Sequence, residues 1–431
     1  MQLVCQRKPR RVQSTNWPSY DLEWDLPSSV SAAQVLATYS SPNLLQKIDE
    51  KLDVQVVEHR GMYNLGEGVQ ECTKSAILAA IGSGGRNLCE IDVALTADGV
   101  PIVAHEFNLF RVAALGEDKP VREFHSHEVV GKDVIIREVE NGRISESNYR
   151  VTDDAISTLE DILDTALAVN PHSTFILDGR EYEAHLIVAW LSYKEEYFGK
   201  VALLFYTFKY HDGDQFVASV EGAEPNSGWR KNVYLMPMIF PQEMVRIAKD
   251  LGYTQLTTDE IFEAGKYWID TVLTQDMNIF AVQTMLSHVS EDELDDDATE
   301  EELLAYRASE ASTRLAFYIK RDPNVREARP HLKLSTGTRC YDFTAVRDGR
   351  RLEFHNDFFT GMESPRETDL RRYIRHRYGT PGVPLLRDLP DLVISDRSED
   401  DMALLAWKRA GIVREVDWRT PHLDVYSSDD D

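Results

Sequence analysis

Short apolar runs recur along the chain, at 54–57, 88–93, 174–177, 201–205, 233–238, 278–284 and 392–395, and their regular alternation with helical segments narrows the folds open to it. A further run at 254–256 is weaker. Helical spacing is carried by 70–81, which stops at Gly82, Gly84 and Gly85, and by segments near 182–197, 241–250 and 258–273. Ser157-Thr158-Leu159-Glu160 opens another helix through Ala168, with Ser157 predicted as its N-cap and Glu160 completing a capping box. Strand followed by helix, repeated, is what a parallel α/β barrel requires. The 431 residues exceed the roughly 250 of a simple eight-stranded barrel. Additions are therefore expected: an N-terminal extension over 1–50, a barrel over 51–405 interrupted by an insertion over 288–390, and a tail over 406–431.

Several of these runs end in residues that carry chemistry. His59-Arg60-Gly61 closes the first run and His105 closes the segment that follows Asp98-Gly99, a hairpin signal. Glu90 and Asp92 are two apart on a predicted strand, whose period of two puts both carboxylates on one face. That face suits a hard cation, and two imidazoles beside it suit general acid/base work on a phosphate ester. A third carboxylate, Asp178, ends the run at 174–177 and is followed by Gly179 and Arg180.

The order HRG, then ExD after a helix, then TxDGxPxVxH and LxR resembles the glycerophosphodiester phosphodiesterase family, whose fold is a (β/α)8 TIM barrel. The pattern is specific because its functional side chains keep order and strand context across 59–111. The resemblance implies Glu90, Asp92 and Asp178 as ligands of Mg²⁺ or Ca²⁺, His59 and His105 as the acid/base pair, and Arg60 and Arg180 at the phosphate. It also shows departures. Asp178 stands where the family usually has Glu, Arg180 where it has Lys, Cys72 where it has the Asn after Glu71, and Glu106 where it has Asp. Within the family, agrocinopine synthase joins sugars through phosphate, so a phosphodiester-forming transfer is an alternative to hydrolysis. A barrel that binds phosphorylated ligands without catalysis is a third reading.

A net charge of −26 repels the nucleic-acid backbone and leaves a small phosphodiester or sugar phosphate as the expected partner. The cysteines Cys5, Cys72, Cys89 and Cys340 have no CxxC spacing and read as free thiols of a reducing compartment, so a cytoplasmic protein without a transmembrane segment is expected. Residues 290–302 hold nine acids and read as a solvated helix start or loop. His125 and His127 read as solvated loop histidines.

Overall fold

The computed structural model describes residues 55–63, 68–82, 88–105, 109–115, 119–140, 143–179, 183–285, 298–337, 343–347, 350–354 and 390–395. The predicted extension, the tail, Arg180, Glu106, Cys5 and Cys340 lie outside them. The strands are β1 (Gln55–Glu58), β2 (Leu88–Leu95), β3 (Pro101–Val103), β4 (Asp133–Glu140), β5 (Arg143–Ala155), β6 (Thr174–Gly179), β7 (Val201–Tyr206), β8 (Tyr234–Ile239), β9 (Ala281–Met285), β10 (Lys333–Gly337), β11 (Phe343–Arg347), β12 (Arg350–Phe354) and β13 (Leu392–Ser395). Helices of eight or more residues are α1 (Lys74–Gly82), α2 (Leu159–Val169), α3 (Ala184–Leu191), α4 (Gly213–Gly222), α5 (Pro241–Asp250), α6 (Thr258–Leu273) and α7 (Glu300–Arg321).

Eight parallel strands close on themselves in the order β1, β2, β6, β7, β8, β9, β10, β13, and β3 adds an antiparallel edge to β2. This is a TIM barrel. Its strands read as near-continuous apolar runs because helices cover one face and the lumen the other. The registers accumulate the offset of about eight residues round the ring that such barrels share, so lumen side chains fall into layers of four drawn from alternate strands.

Those layers grade from apolar to polar toward the strands' C-terminal ends. Leu88, Ala202, Ala281 and Leu392 form a wholly apolar layer, and Val57, Ile176, Met236 and Ser335 the next. Above them come Glu90, Leu204, Gln283 and Ile394. His59, Asp178, Met238 and Gly337 follow, and then Asp92, Tyr206 and Met285. A greasy plug thus closes the barrel below a polar mouth. The larger core lies outside the strands, where Trp229, Trp268, Phe205 and Phe216 pack among the helices.

Helices α5 and α6 occupy the predicted ranges, and the others differ for local reasons. Helix α1 starts at Lys74 because Cys72 takes φ +54° and its N–H donates to the Arg60 carbonyl at 3.0 Å, which holds 70–73 in a turn. The cap of α2 is Thr158, which accepts from the Asp161 N–H at 3.2 Å. Ser157 is spent elsewhere: its carbonyl accepts from Val103 and its hydroxyl donates to the Ala155 carbonyl. Helix α4 was not foreseen; it is capped by Asp212, which accepts from Gln215 N–H at 2.8 Å.

The run at 254–256 is no strand, since Leu256 sits at φ +50°. The missing barrel strand is β10, inside the segment expected to be an insertion. Residues 298–337 supply both α7 and β10, so that part of 288–390 is barrel. The end of the acidic run is a helix start, with Thr299 and Glu302 forming a capping box. Asp391 ties this segment in: its carboxylate accepts from Leu334 N–H at 2.8 Å and pairs with Lys320.

Two excursions meet beside the barrel. The β4–β5 hairpin comes from the stretch between β3 and α2, and the β11–β12 hairpin from the stretch between β10 and β13. A parallel contact, Val346 with Glu138, joins them into one four-stranded sheet. Among the described residues, no helix is long and apolar enough to cross a membrane.

Candidate active site

The polar mouth is assembled from strand ends on one side of the barrel. Glu90 and Asp92 point into the lumen from β2 and Asp178 from the adjoining β6, where Asp92 and Asp178 are register partners. One carboxylate oxygen from each lies within 4.8 Å of the other two. The HRG turn leaves β1 above them. Arg60 and Gly61 both take positive φ, and a Cβ on Gly61 would stand 2.7 Å from the Ala76 carbonyl carbon of α1. Only glycine fits that approach. The turn swings the Arg60 N–H onto Glu90 Oε2 at 3.0 Å and brings His59 Nε2 to 3.9 Å from the same oxygen.

His105 arrives by the predicted hairpin. Gly99 takes φ +75°, β3 pairs Val103 with Val93, and Ala104 N–H donates to the Asp92 carbonyl at 3.1 Å. His105 therefore directly follows a residue that is hydrogen-bonded to Asp92. Arg60 lies deeper than a phosphate-facing side chain would, with Nε 3.2 Å from Asp92 Oδ2 and a terminal nitrogen 3.5 Å from Glu71 Oε1. Glu71 also pairs with Arg111, and both are buried. Glu71, Arg60 and Arg111 form a charged bracket behind the carboxylates, built from the loop before α1 and the LxR segment.

Two partners of the ligand-type carboxylates were not anticipated. Tyr206, the last residue of β7, donates its hydroxyl to Asp178 Oδ2. Cys72 Sγ lies 3.3 Å from Asp92 Oδ2 as a thiol donor. Burial, and then the neighbouring Asp92, Glu90 and Glu71 charges, push the Cys72 thiol well above its ordinary range, which keeps it a protonated donor. The one available signal was parity: Tyr206 is the polar lumen-side end of the run VALLFY.

Three carboxylates converge here, and Arg60 pairs with one of them, Asp92. Burial, and after it Asp92 and Asp178, drive the Glu90 carboxyl well above the usual carboxylate range, against the pull of Arg60. Glu90 Oε1 is shielded from solvent and meets no hydrogen-bond donor. An orphaned buried oxygen among three converging carboxylates fits a hard divalent cation. The three carboxylates could hold such an ion, with the His59 imidazole beside Glu90.

The Glycerophosphoryl diester phosphodiesterase family model matches residues 59–179, the segment that runs from HRG through Asp178. Among solved structures, a glycerophosphoryl diester phosphodiesterase from Parabacteroides distasonis is similar at 15% identity and TM-score 0.44, over 88% of this chain and 93% of that one. A glycerophosphodiester phosphodiesterase from Agrobacterium tumefaciens shows 16% identity and TM-score 0.28, over 59% of this chain and 100% of that one. One from Thermotoga maritima shows 21% and 0.26, over 56% and 88%. No curated protein matches. The family match over 59–179 bears out the resemblance read from the sequence, and with it an enzyme of the phosphoric diester hydrolase kind.

Proposed function

We propose that this phosphodiesterase-like barrel cleaves a small phosphodiester by paired histidine acid/base catalysis at a carboxylate-held divalent metal. The reading is carried by one observation: Glu90, Asp92 and Asp178 converge within 4.8 Å at the barrel mouth, with His59 Nε2 3.9 Å from Glu90 and His105 directly following Ala104, which is hydrogen-bonded to the Asp92 carbonyl. The C-terminal mouth is where barrels of this class hold their active sites.

His59, placed against the cluster by the strained HRG turn, takes the proton from an attacking water. The water oxygen bonds to phosphorus, the bond from phosphorus to the departing alcohol oxygen breaks, and His105 gives that oxygen its proton. Mg²⁺ or Ca²⁺ at Glu90, Asp92 and Asp178 would supply charge to offset the negative charge that grows on the phosphoryl oxygens. Arg60 adds positive charge from behind the carboxylates. Arg180 is our candidate for the phosphate itself, since a guanidinium clamps two oxygens where an ammonium meets one.

The same groups can run a transfer. If a sugar hydroxyl replaces water at His59, a sugar phosphodiester forms. The experiment that tests the main reading incubates the protein with glycerophosphodiesters and Mg²⁺ or Ca²⁺ and measures freed alcohol. Release that depends on the ion and on both histidines is the expected result. No release, with product formed from a mixture of sugar and sugar phosphate, would move the assignment to the joining reaction.

A further inference from the structure

The arc of the mouth next to Asp178 carries aromatic rings that the cleavage chemistry does not use. Tyr206 ends β7, Phe208 follows it by two residues, and Phe240 directly follows β8. Their planes are nearly parallel: the Tyr206 ring centre lies 4.8 Å from that of Phe208 at 18° and 5.6 Å from that of Phe240 at 4°, and the two phenylalanines are 6.5 Å apart at 20°. Tyr206 is buried, Phe240 is half-buried and Phe208 is 38% exposed, so the array begins inside the mouth and ends in solvent. Met238, the register partner of Tyr206, belongs to the same apolar cluster, against which Phe240 and Met285 pack. The Tyr206 hydroxyl is donated to Asp178, so the array starts one tyrosine side chain away from the carboxylates.

Apolar residues exposed singly need no explanation, but an exposed ring that continues a parallel array at the rim of a charged site is a different case. Small-molecule sites pair an apolar wall with a few polar groups that fix orientation, and the two arcs of this mouth supply one each. An alkyl chain would gain burial from any apolar wall and would lose rotamer freedom on this one. A rigid flat ring has little such freedom to lose, and beside parallel rings it gains stacking beyond its buried area. A quaternary ammonium is the competing occupant, since ring faces attract cations. Recognition of that kind uses rings turned around the cation as a cage. The three planes here lie within 20° of one another and enclose nothing.

We propose that Tyr206, Phe208 and Phe240 form a stacking shelf for a planar aromatic group carried on one ester of the substrate, an inference that rests on the phosphodiester reading above. With the phosphate at Glu90, Asp92 and Asp178, an ester directed toward β7 and β8 sets its ring against the exposed end of the array. The site then selects esters of flat aromatic alcohols over saturated ones of the same size. Phe208 is a specificity residue in this scheme, with no part in proton transfer. Tyr206 serves both arcs, its ring in the shelf and its hydroxyl on Asp178.

The test measures calorimetric binding of phenyl phosphate, cyclohexyl phosphate and phosphocholine to the full-length protein with Mg²⁺ present. Cyclohexyl phosphate has a ring of the same size that is neither flat nor aromatic, and phosphocholine carries the competing cation. Wild type is expected to favour phenyl phosphate over cyclohexyl phosphate by about fivefold. Phe208→Leu, which keeps an apolar side chain and removes the ring, is expected to bring those two within about twofold. Phe208→Trp, which restores an aromatic face, is expected to keep the preference, and Phe208→Met serves should the Leu variant not fold. Equal affinities for the two ring compounds in wild type overturn the proposal and leave the phosphodiester reading standing. So does a preference that survives Phe208→Leu, and so does tighter binding of phosphocholine than of phenyl phosphate. Binding of none of the three by wild type overturns both.

Discussion

The two walls of the barrel mouth are both polar, and they treat their polar groups in opposite ways. On the β1, β2 and β6 side, the groups are charged and bracketed: Arg60 reaches Glu90, Asp92 and Glu71, Arg111 pairs with Glu71, Cys72 donates to Asp92, and Tyr206 crosses from β7 to Asp178. On the β9 and β10 side, Gln283 and Ser335 are neutral and their oxygens have no partner. A site that must hold charge in a fixed geometry needs supports for every ligand-type group. The difference separates charged groups that hold one another from neutral groups whose oxygens meet no partner.

The sharpest way to break that division is at the histidines. His59→Ala or His105→Ala should lower turnover by about 10²–10⁴-fold, the usual contribution of general acid/base catalysis, with melting temperature close to wild type. Near-native rates in either variant would remove the acid/base assignment. Behind the carboxylates, Arg111→Met leaves Glu71 with a buried and weakened ion-pair set, because its remaining partner, the Arg60 nitrogen, stands 3.5 Å away. Breaking a buried pair in this way costs about 3–5 kcal/mol, and denaturant unfolding would read it. An unchanged midpoint would show that the bracket is not structural.

Tyr206→Phe tests the support that crosses between strands. It removes the hydroxyl that Asp178 accepts and nothing else. Loss of such a partner weakens metal binding by about 10–100-fold, so titration with Mg²⁺ or Ca²⁺ should show that drop with little change in fold. The same titration carries a pH signature. Glu90 has a raised folded-state pKa through burial and its Asp92 and Asp178 neighbours, so the metal-free fold favours its protonated form. The contribution of Glu90 to the stability of the metal-free protein is then fully present at low pH and is lost as pH climbs from the ordinary carboxylate range through the raised value, by at most about 1.4 kcal/mol per pH unit. A bound cation offsets the crowded charge, so the rise in melting temperature on adding it should grow with pH. A rise that is flat with pH would mean that Glu90 is not among the ligands.

How much of this was legible follows the same division. The positions of His59, Asp178 and His105 could be read because each follows an apolar run, and those of Glu90 and Asp92 because strand parity sets both on one face of the run at 88–93. Parity alone hinted at Tyr206, and nothing local at Gln283, since what matters about each is a neighbour or an opposite wall across the ring. β10 was missed because its sequence, KLSTG, has one large apolar residue and follows a strongly acidic stretch, so it lacks the signal of a buried strand. The joint sheet of β4, β5, β11 and β12 was hidden for a different reason: its halves are about two hundred residues apart and meet through a parallel contact that neither hairpin predicts alone.

The smallest expected effect is on the neutral wall and separates it most cleanly from the charged one. Ser335→Ala removes a wholly buried hydroxyl that no protein group satisfies, at a position where the layer is otherwise Val57, Ile176 and Met236. Replacing a buried unsatisfied polar group by an apolar one of similar size is nearly neutral or stabilising. The metal-loaded protein without substrate should therefore melt at or slightly above the wild-type temperature. Equivalent removal of a polar group on the opposite wall, as in Arg111→Met, should destabilise it strongly. If Ser335→Ala instead destabilises the protein by 1 kcal/mol or more, roughly the worth of a satisfied hydrogen bond, the hydroxyl has a partner in solution and the neutral wall is structural.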